Sequence, residues 1–338
     1  MTAPEIIKDL KNRKFKPVYL LHGEEPYFID QISNYIEHKL LSDAEKGFNQ
    51  TVLYGKDTDV MTAINAAKRY PMMSDYQVVM VKEAQDMKWG KDEDDKKHIN
   101  PILSYLENPL PSTILVFCYK YGKFDKRKKT YKAIDKNGQI FESIPLYDSK
   151  IPAWIEGYIS DRKYKIPPQA SAMLSEYLGN DLSKIANELD KLMLNVSLGE
   201  EITLKHIQDN IGISKEYNVF ELQSAITRKD AYKVNQIVNY FEANQKANPI
   251  VLVLGNLNNF FSKVLAYHYV KDKSNAAREI GVSPYFLKDY EQAARNYNLG
   301  KTFQVISLLR EYDVKSKGVE SNAGPGALLK ELMFKILH

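Results

Sequence analysis

Pro17-Val18-Tyr19-Leu20-Leu21-His22-Gly23-Glu24-Glu25-Pro26-Tyr27-Phe28-Ile29-Asp30 reads as a buried strand, a glycine turn and the start of a helix. That is the setting of a phosphate-binding loop. A working loop has the form Gly-x-x-x-x-Gly-Lys-Ser/Thr: backbone N–H groups cradle the phosphates, the lysine neutralises them and the hydroxyl holds magnesium. Counted from Gly23, the last three places fall on Phe28, Ile29 and Asp30, and Glu24 and Glu25 stand where phosphates would sit. A second stretch, Val78-Val79-Met80-Val81-Lys82-Glu83, has the form of an apolar strand that normally ends in Asp-Glu to hold magnesium. Its Asp place is Lys82, a cation that repels the metal. Together the two stretches predict a chain shaped like an ATPase that does not use ATP and takes neither cofactor nor metal.

The rest of the sequence supports a layered α/β region followed by an all-α region. Continuous apolar runs at 17–22, 50–54, 77–81, 113–118 and 139–142 are expected to be strands covered on both faces, hence a parallel sheet. Helical patterns lie between them at 28–41, 59–68, 99–106 and 129–136, and the charged stretch 88–97 reads as a solvated loop. After about residue 148 the strand pattern stops. Short amphipathic helices punctuated by Pro167-Pro168, Gly179-Asn180 and Gly199 run to about 212, and longer ones follow at 219–227, 231–244, 250–271, 276–280, 284–297, 301–315 and 328–337. Ser321 to Gly326 reads as a flexible lead-in to the last helix. The expected division is therefore 1–148, 149–212 and 213–338.

Composition narrows the class of function. The chain has 338 residues, 44% hydrophobic and 27% charged, with a net charge of +4, a mild excess that permits nucleic-acid contact without requiring it. The single cysteine, Cys118, sits in an apolar run and reads as a reduced core thiol, which fits a cytoplasmic setting. Met1 to Lys14 is too charged for a signal peptide, and no apolar run approaches membrane-spanning length. The six histidines show no metal-ligand spacing, and there is no nucleophile elbow. A chain of this length without a recognisable catalytic site leans towards a binding or mechanical role.

One charge cluster stands out. Lys120, Lys123, Lys126, Arg127, Lys128, Lys129 and Lys132 are interleaved with Tyr119, Tyr121, Phe124 and Tyr131. This is either an edge that contacts DNA phosphates, with Lys126, Arg127, Lys128 and Lys129 at its centre, or a solvated face at the exit of the fourth strand.

The segments at 18–30 and 70–85, the turn Phe124-Asp125-Lys126-Arg127-Lys128 and the helix at 179–192, in this order and at these separations, resemble the delta-subunit family of bacterial DNA polymerase III. The resemblance covers essentially the whole chain. It implies an AAA+-like α/β domain with a degenerate nucleotide site (Gly23, Phe28, Ile29, Asp30, Lys82, Glu83), a small helical lid domain and a helical collar domain. It also implies a clamp-loader subunit that binds and opens the ring-shaped sliding clamp (the beta subunit) so that the clamp can be loaded on primed DNA. Such a subunit is an accessory of a DNA-directed DNA polymerase with no active site of its own. Its partners would be the clamp, the tau/gamma and delta prime subunits in a ring of five, and primed DNA within the complex, with no membrane. The clamp contact implied by the resemblance falls on Tyr70, Pro71, Met72 and Met73, with Met72-Met73 where the family usually has Leu-Phe. A desolvated apolar wedge is what a hydrophobic pocket needs, and paired methionines repack easily. Read from the residues alone, the two methionines are either that wedge or core. The competing functions are an active ATPase with an unusual nucleotide site and a helical DNA-binding adaptor.

Overall fold

Apolar runs without alternation require cover on both faces, and the strands are used in that way. In the computed structural model, which describes residues 1–89, 101–211, 217–282 and 284–338, five strands are β1 (Val18–Gly23), β2 (Gln50–Tyr54), β3 (Gln77–Lys82), β4 (Thr113–Lys120) and β5 (Gln139–Ser143). They form one sheet in the order β2-β3-β4-β1-β5, with every pairing parallel. Side chains alternate across it. Val18, Leu20, Val79, Val81, Leu115 and Phe117 enter a core with residues of α4 (Val60–Ala67), α5 (Pro101–Glu107) and α6 (Lys129–Asn137). Tyr19, Leu21, Val78, Met80, Val116 and Cys118 enter the opposite core with residues of α1 (Ala3–Lys11) and α2 (Pro26–Lys39). Cys118 is thus core, and burial pushes its thiol up to about 12.

The crossover from β1 to β2 carries α2 on one face, and the later crossovers carry α4, α5 and α6 on the other. The carboxyl end of β1 is therefore the switch point where open α/β sheets bind ligands. Two helices are not evident from the sequence pattern. In α1, a capping box between Thr2 and Glu5 starts the helix, and Ala3, Ile6 and Leu10 bury one side. In α3 (Asp43–Asn49), Ser42 and Glu45 form a second capping box. Both are short, and each is set by a cap rather than by a long apolar stripe. The stretch 88–97 lies mostly outside the described residues.

The chain divides into two compact units, Met1–Pro145 and Leu146–His338. The second is helical: α7 (Ile151–Asp161), α8 (Pro168–Leu178), α9 (Leu182–Leu194), α10 (Leu204–Ile211), α11 (Val219–Thr227), α12 (Ala231–Ala243), α13 (Ile250–Tyr269), α14 (Ala276–Glu279), α15 (Leu287–Asn296), α16 (Leu299–Ser316) and α17 (Pro325–Leu337). One core joins Leu222, Ile226, Ile237, Phe241, Leu257, Phe261, Leu309, Tyr312, Leu332 and Ile336. α13 bears on the reading that no apolar run approaches membrane-spanning length. It is 20 residues long and apolar enough on average to cross a membrane, but asparagines, Ser262 and Lys263 interrupt its apolar run, and Leu254, Leu257, Phe261 and Val264 are packed inside the unit. The last helix begins at Pro325, so Pro325 and Gly326 form its first turn rather than part of a flexible lead-in.

Candidate functional site

At the carboxyl edge of the sheet, the place of a nucleotide is closed. Only Glu24 and Glu25 separate Gly23, the last residue of β1, from Pro26, the first of α2, so no loop is left to wrap phosphates. Gly23 has φ +143°, and a Cβ there would lie 1.9 Å from the Ser143 carbonyl oxygen, so the close approach of β5 requires glycine. The helix N-terminus, the usual anion site, is occupied by the protein's own anion. The Glu25 carboxylate is buried and accepts a hydrogen bond from the Tyr27 N–H at 2.9 Å. Phe28 and Ile29 belong to the apolar face of α2, with Ile29 fully buried.

The remaining polar groups are paired with each other. Asp30 forms an ion pair with Lys120 at 2.5 Å, and Lys82 with Glu37 of α2 at 2.7 Å. Burial penalises the Lys82 cation, but the hydrogen bond and charge of Glu37 outweigh that penalty and leave its pKa raised. Glu83 turns the chain in a left-handed conformation, φ +52°, and its side chain is exposed. Among the described residues no group of His, Cys, Asp and Glu is placed to hold a metal.

The loop between α4 and β3 shows the opposite arrangement. α4 ends at Ala67, whose carbonyl accepts from Gln77 Nε2 at 3.2 Å and from the Thr113 hydroxyl at 2.9 Å. Gln77 also donates to the Arg69 carbonyl, so the base of the loop is tied to the sheet. Beyond that base the apolar side chains turn outwards. Relative exposure is 75% for Tyr70, 62% for Met72 and 104% for Met73. The methionines are therefore not core; Pro71, half-buried, precedes them.

The loop backbone is nevertheless held. Asn49 Nδ2 donates to the Met72 carbonyl at 2.8 Å, and the Met72 N–H donates to Asn49 Oδ1 at 2.6 Å. The Ser74 hydroxyl donates to Glu45 Oε1 at 2.7 Å. Met73, between these two contacts, has φ +53°, a conformation that β-carbon-bearing residues rarely adopt.

The basic cluster is largely compensated. Lys120 pairs with Asp30, Lys123 with Glu24, Lys126 with Glu142, and Arg127 with Asp125. The Arg127 hydrogen bonds hold the Asp125 carboxyl at about 2. Lys128 lies over the Phe124 ring, 5.5 Å from its centroid, and Lys129 opens α6.

Sequence reasoning missed the capping role of Glu25 and, at the loop, Asn49 and Glu45. Glu25 carried a signal, an acid immediately before Pro at a helix start. Asn49 and Glu45 carried none, because their partners are 23 and 29 residues away.

Comparison with known proteins agrees with this fold. The family model described as DNA polymerase III, delta subunit matches residues 19–143, a span that runs from β1 through β5. DNA polymerase III subunit delta of Bacillus subtilis (strain 168) is 26% identical over 318 residues, covering 93% of this chain and 91% of that protein. A solved structure, the Bacillus subtilis DNA clamp loader delta protein, is 23% identical, covers 99% of each chain and superposes with a TM-score of 0.60. At that identity it is the fold that is shared. The resemblance to the DNA polymerase III delta family read from the sequence holds along most of the chain.

Proposed function

We propose that this chain is the clamp-loader subunit that binds and opens the sliding clamp, so that the clamp can be loaded on primed DNA, without hydrolysing ATP itself. The observation that carries this reading is the pair Met72-Met73, exposed to solvent on a loop whose backbone is pinned. A few desolvated apolar anchors suffice to dominate binding to a hydrophobic pocket, and a preformed loop loses little entropy on docking. The closed nucleotide place supports the second half of the reading and speaks against an active ATPase. The ion pairs within the basic cluster speak against an independent DNA-binding adaptor.

In this reading residues 1–148 form an AAA+-like domain carrying the clamp contact, 149–212 a lid and 213–338 a collar. Among the described residues, the core that joins residues 222–336 includes none from 149–212, which supports a separate collar. The collar packs in a ring of five with tau/gamma and delta prime subunits, ATP is hydrolysed by neighbouring subunits, and the assembly works in the cytoplasm. The test is binding of the full chain to the sliding clamp from the same source, with a fluorophore pair across one clamp interface to report opening. Binding with loss of proximity between the fluorophores is expected. No binding, or micromolar binding of magnesium-ATP to the chain alone, overturns the reading.

A further inference from the structure

The geometry points to α3 as the platform that presents the clamp-binding tip, and we infer that Asn49 is its principal positioning residue, an inference that rests on the clamp-binding reading. Two contacts from this one short helix bracket Met73. Asn49, only 3% exposed, commits its side-chain amide to both backbone groups of Met72. Glu45 takes the Ser74 hydroxyl on one carboxylate oxygen, while its other oxygen closes the capping box by accepting from the Ser42 N–H at 2.8 Å. The residue in between has a side chain fully open to solvent and a left-handed backbone, φ +53°. A non-glycine residue stays in that region only where its surroundings over-determine it. The two flanking contacts supply that determination.

The arrangement serves presentation rather than core stability. A buried asparagine amide must find hydrogen-bond partners, and most side-chain hydrogen bonds go to backbone. Here it is satisfied by the backbone of an exposed loop that buries neither methionine. The contact therefore fixes where Met72 and Met73 point. Without it the tip samples other conformations, and the clamp pocket must select the competent one, which weakens apparent affinity in proportion to the competent population.

The test is a thermodynamic cycle on the full chain, read as affinity for the immobilised sliding clamp from the same source. The variants are Asn49→Ala, Asn49→Asp, Met72→Ala with Met73→Ala, and Asn49→Ala combined with both methionine changes. Asn49→Ala is expected to weaken clamp binding about tenfold, with faster hydrogen exchange at the Met72 amide. Asn49→Asp keeps the acceptor for that amide but sets a carboxylate oxygen against the Met72 carbonyl, so it weakens binding as well, even if the alanine variant folds poorly. The decisive expectation is non-additivity. With both methionines removed, the Asn49 change costs nothing further, because it acts through them. If the methionine variant is weak while both Asn49 variants bind within about twofold of the parent, the inference fails and the clamp-binding reading stands. Equal losses from the Asn49 change with and without the methionines assign Asn49 a purely structural role and also overturn the inference. If removing the methionines leaves binding intact, the reading and the inference fall together.

Discussion

The two edges of the parallel sheet treat their polar groups in opposite ways. At the carboxyl edge, where Gly23 ends β1, side chains are used up on one another: Glu25 caps its own helix, Asp30 takes Lys120, and Glu37 takes Lys82. At the amino edge, between α4 and β3, polar side chains hold backbone and leave apolar side chains free. An α/β sheet ordinarily offers its ligand site at the carboxyl edge. Here ion pairs and helix capping occupy that edge, and in the proposed reading the binding surface lies at the other end of the strands. The contrast makes a binding role and a catalytic role separable by mutation.

The largest expected effect is at the open edge. Burying a methionine side chain contributes about 1.5–3 kcal/mol, so Met72→Ala with Met73→Ala should weaken clamp binding by roughly two to four orders of magnitude at about 1.4 kcal/mol per decade. Coupling between the neighbours would reduce that figure. Because both side chains are exposed, the thermal midpoint should move by only a few degrees, as a scan of the isolated chain would show. A large loss of midpoint with clamp affinity intact would break the comparison, since the open edge would then be a packing feature.

The closed edge should resist being reopened. Ile29→Lys with Asp30→Thr rewrites the two chemical places of the phosphate loop, yet the turn between Gly23 and Pro26 stays too short to cradle an anion. Residue 29 is fully buried, so an unpaired cation there should cost about 3–5 kcal/mol, visible as a shifted denaturant midpoint. Neither the parent nor the variant should bind magnesium-ATP. A micromolar dissociation constant by calorimetry, about −8 kcal/mol, would show that the edge is not closed.

How much of this is legible in the sequence differs between the edges for a physical reason. The closed edge depends on which residues occupy fixed offsets from Gly23, and offsets are visible in sequence. The missing chemistry at Ile29, Asp30 and Lys82 is readable, and so is the sheet that carries them, because runs such as 17–22 and 113–118 lack alternation. What replaces that chemistry is not readable, because Lys120 and Glu37 reach their partners across the fold. At the open edge the sequence leaves Met72 and Met73 undecided between wedge and core, since apolar residues beside a strand suit both. The deciding contact comes from Asn49, in a helix too short to show a periodic stripe.

A smaller effect concerns the basic cluster at the closed edge. In a loader assembled on DNA, removing one phosphate-binding side chain flattens the dependence of log affinity on log salt by about one unit. Lys126 and Arg127 are already matched by Glu142 and Asp125, so Lys126→Gln and Arg127→Gln should change the slope little. Lys128→Gln should change it by about one unit if this face meets phosphate. An unchanged slope in all three would make the cluster a solvated face and extend the closed character to the whole edge.

The smallest effect is a titration at the open edge. Hydrogen bonds from the Ser42 hydroxyl, the Ser42 N–H and the Ser74 hydroxyl hold the Glu45 carboxyl at about 2, below its ordinary 4.5. A carboxyl depressed by folding contributes stability that is fully present above the unfolded value and is lost as pH falls through the folded one. The Glu45 contact to Ser74 should therefore survive from neutral pH through about pH 4 and fail only near pH 2. The Glu45 carboxyl carbon, followed by NMR, should titrate with a midpoint near 2, and the Ser74 amide should stay unchanged down to about pH 3. Glu45 is on the surface, so the consequence for global stability is small; the measurement reads geometry. A midpoint near 4.5 would mean that neither Ser42 nor Ser74 holds the carboxyl, leaving Asn49 alone to fix the tip and shifting the whole burden of presentation to the Met72 backbone.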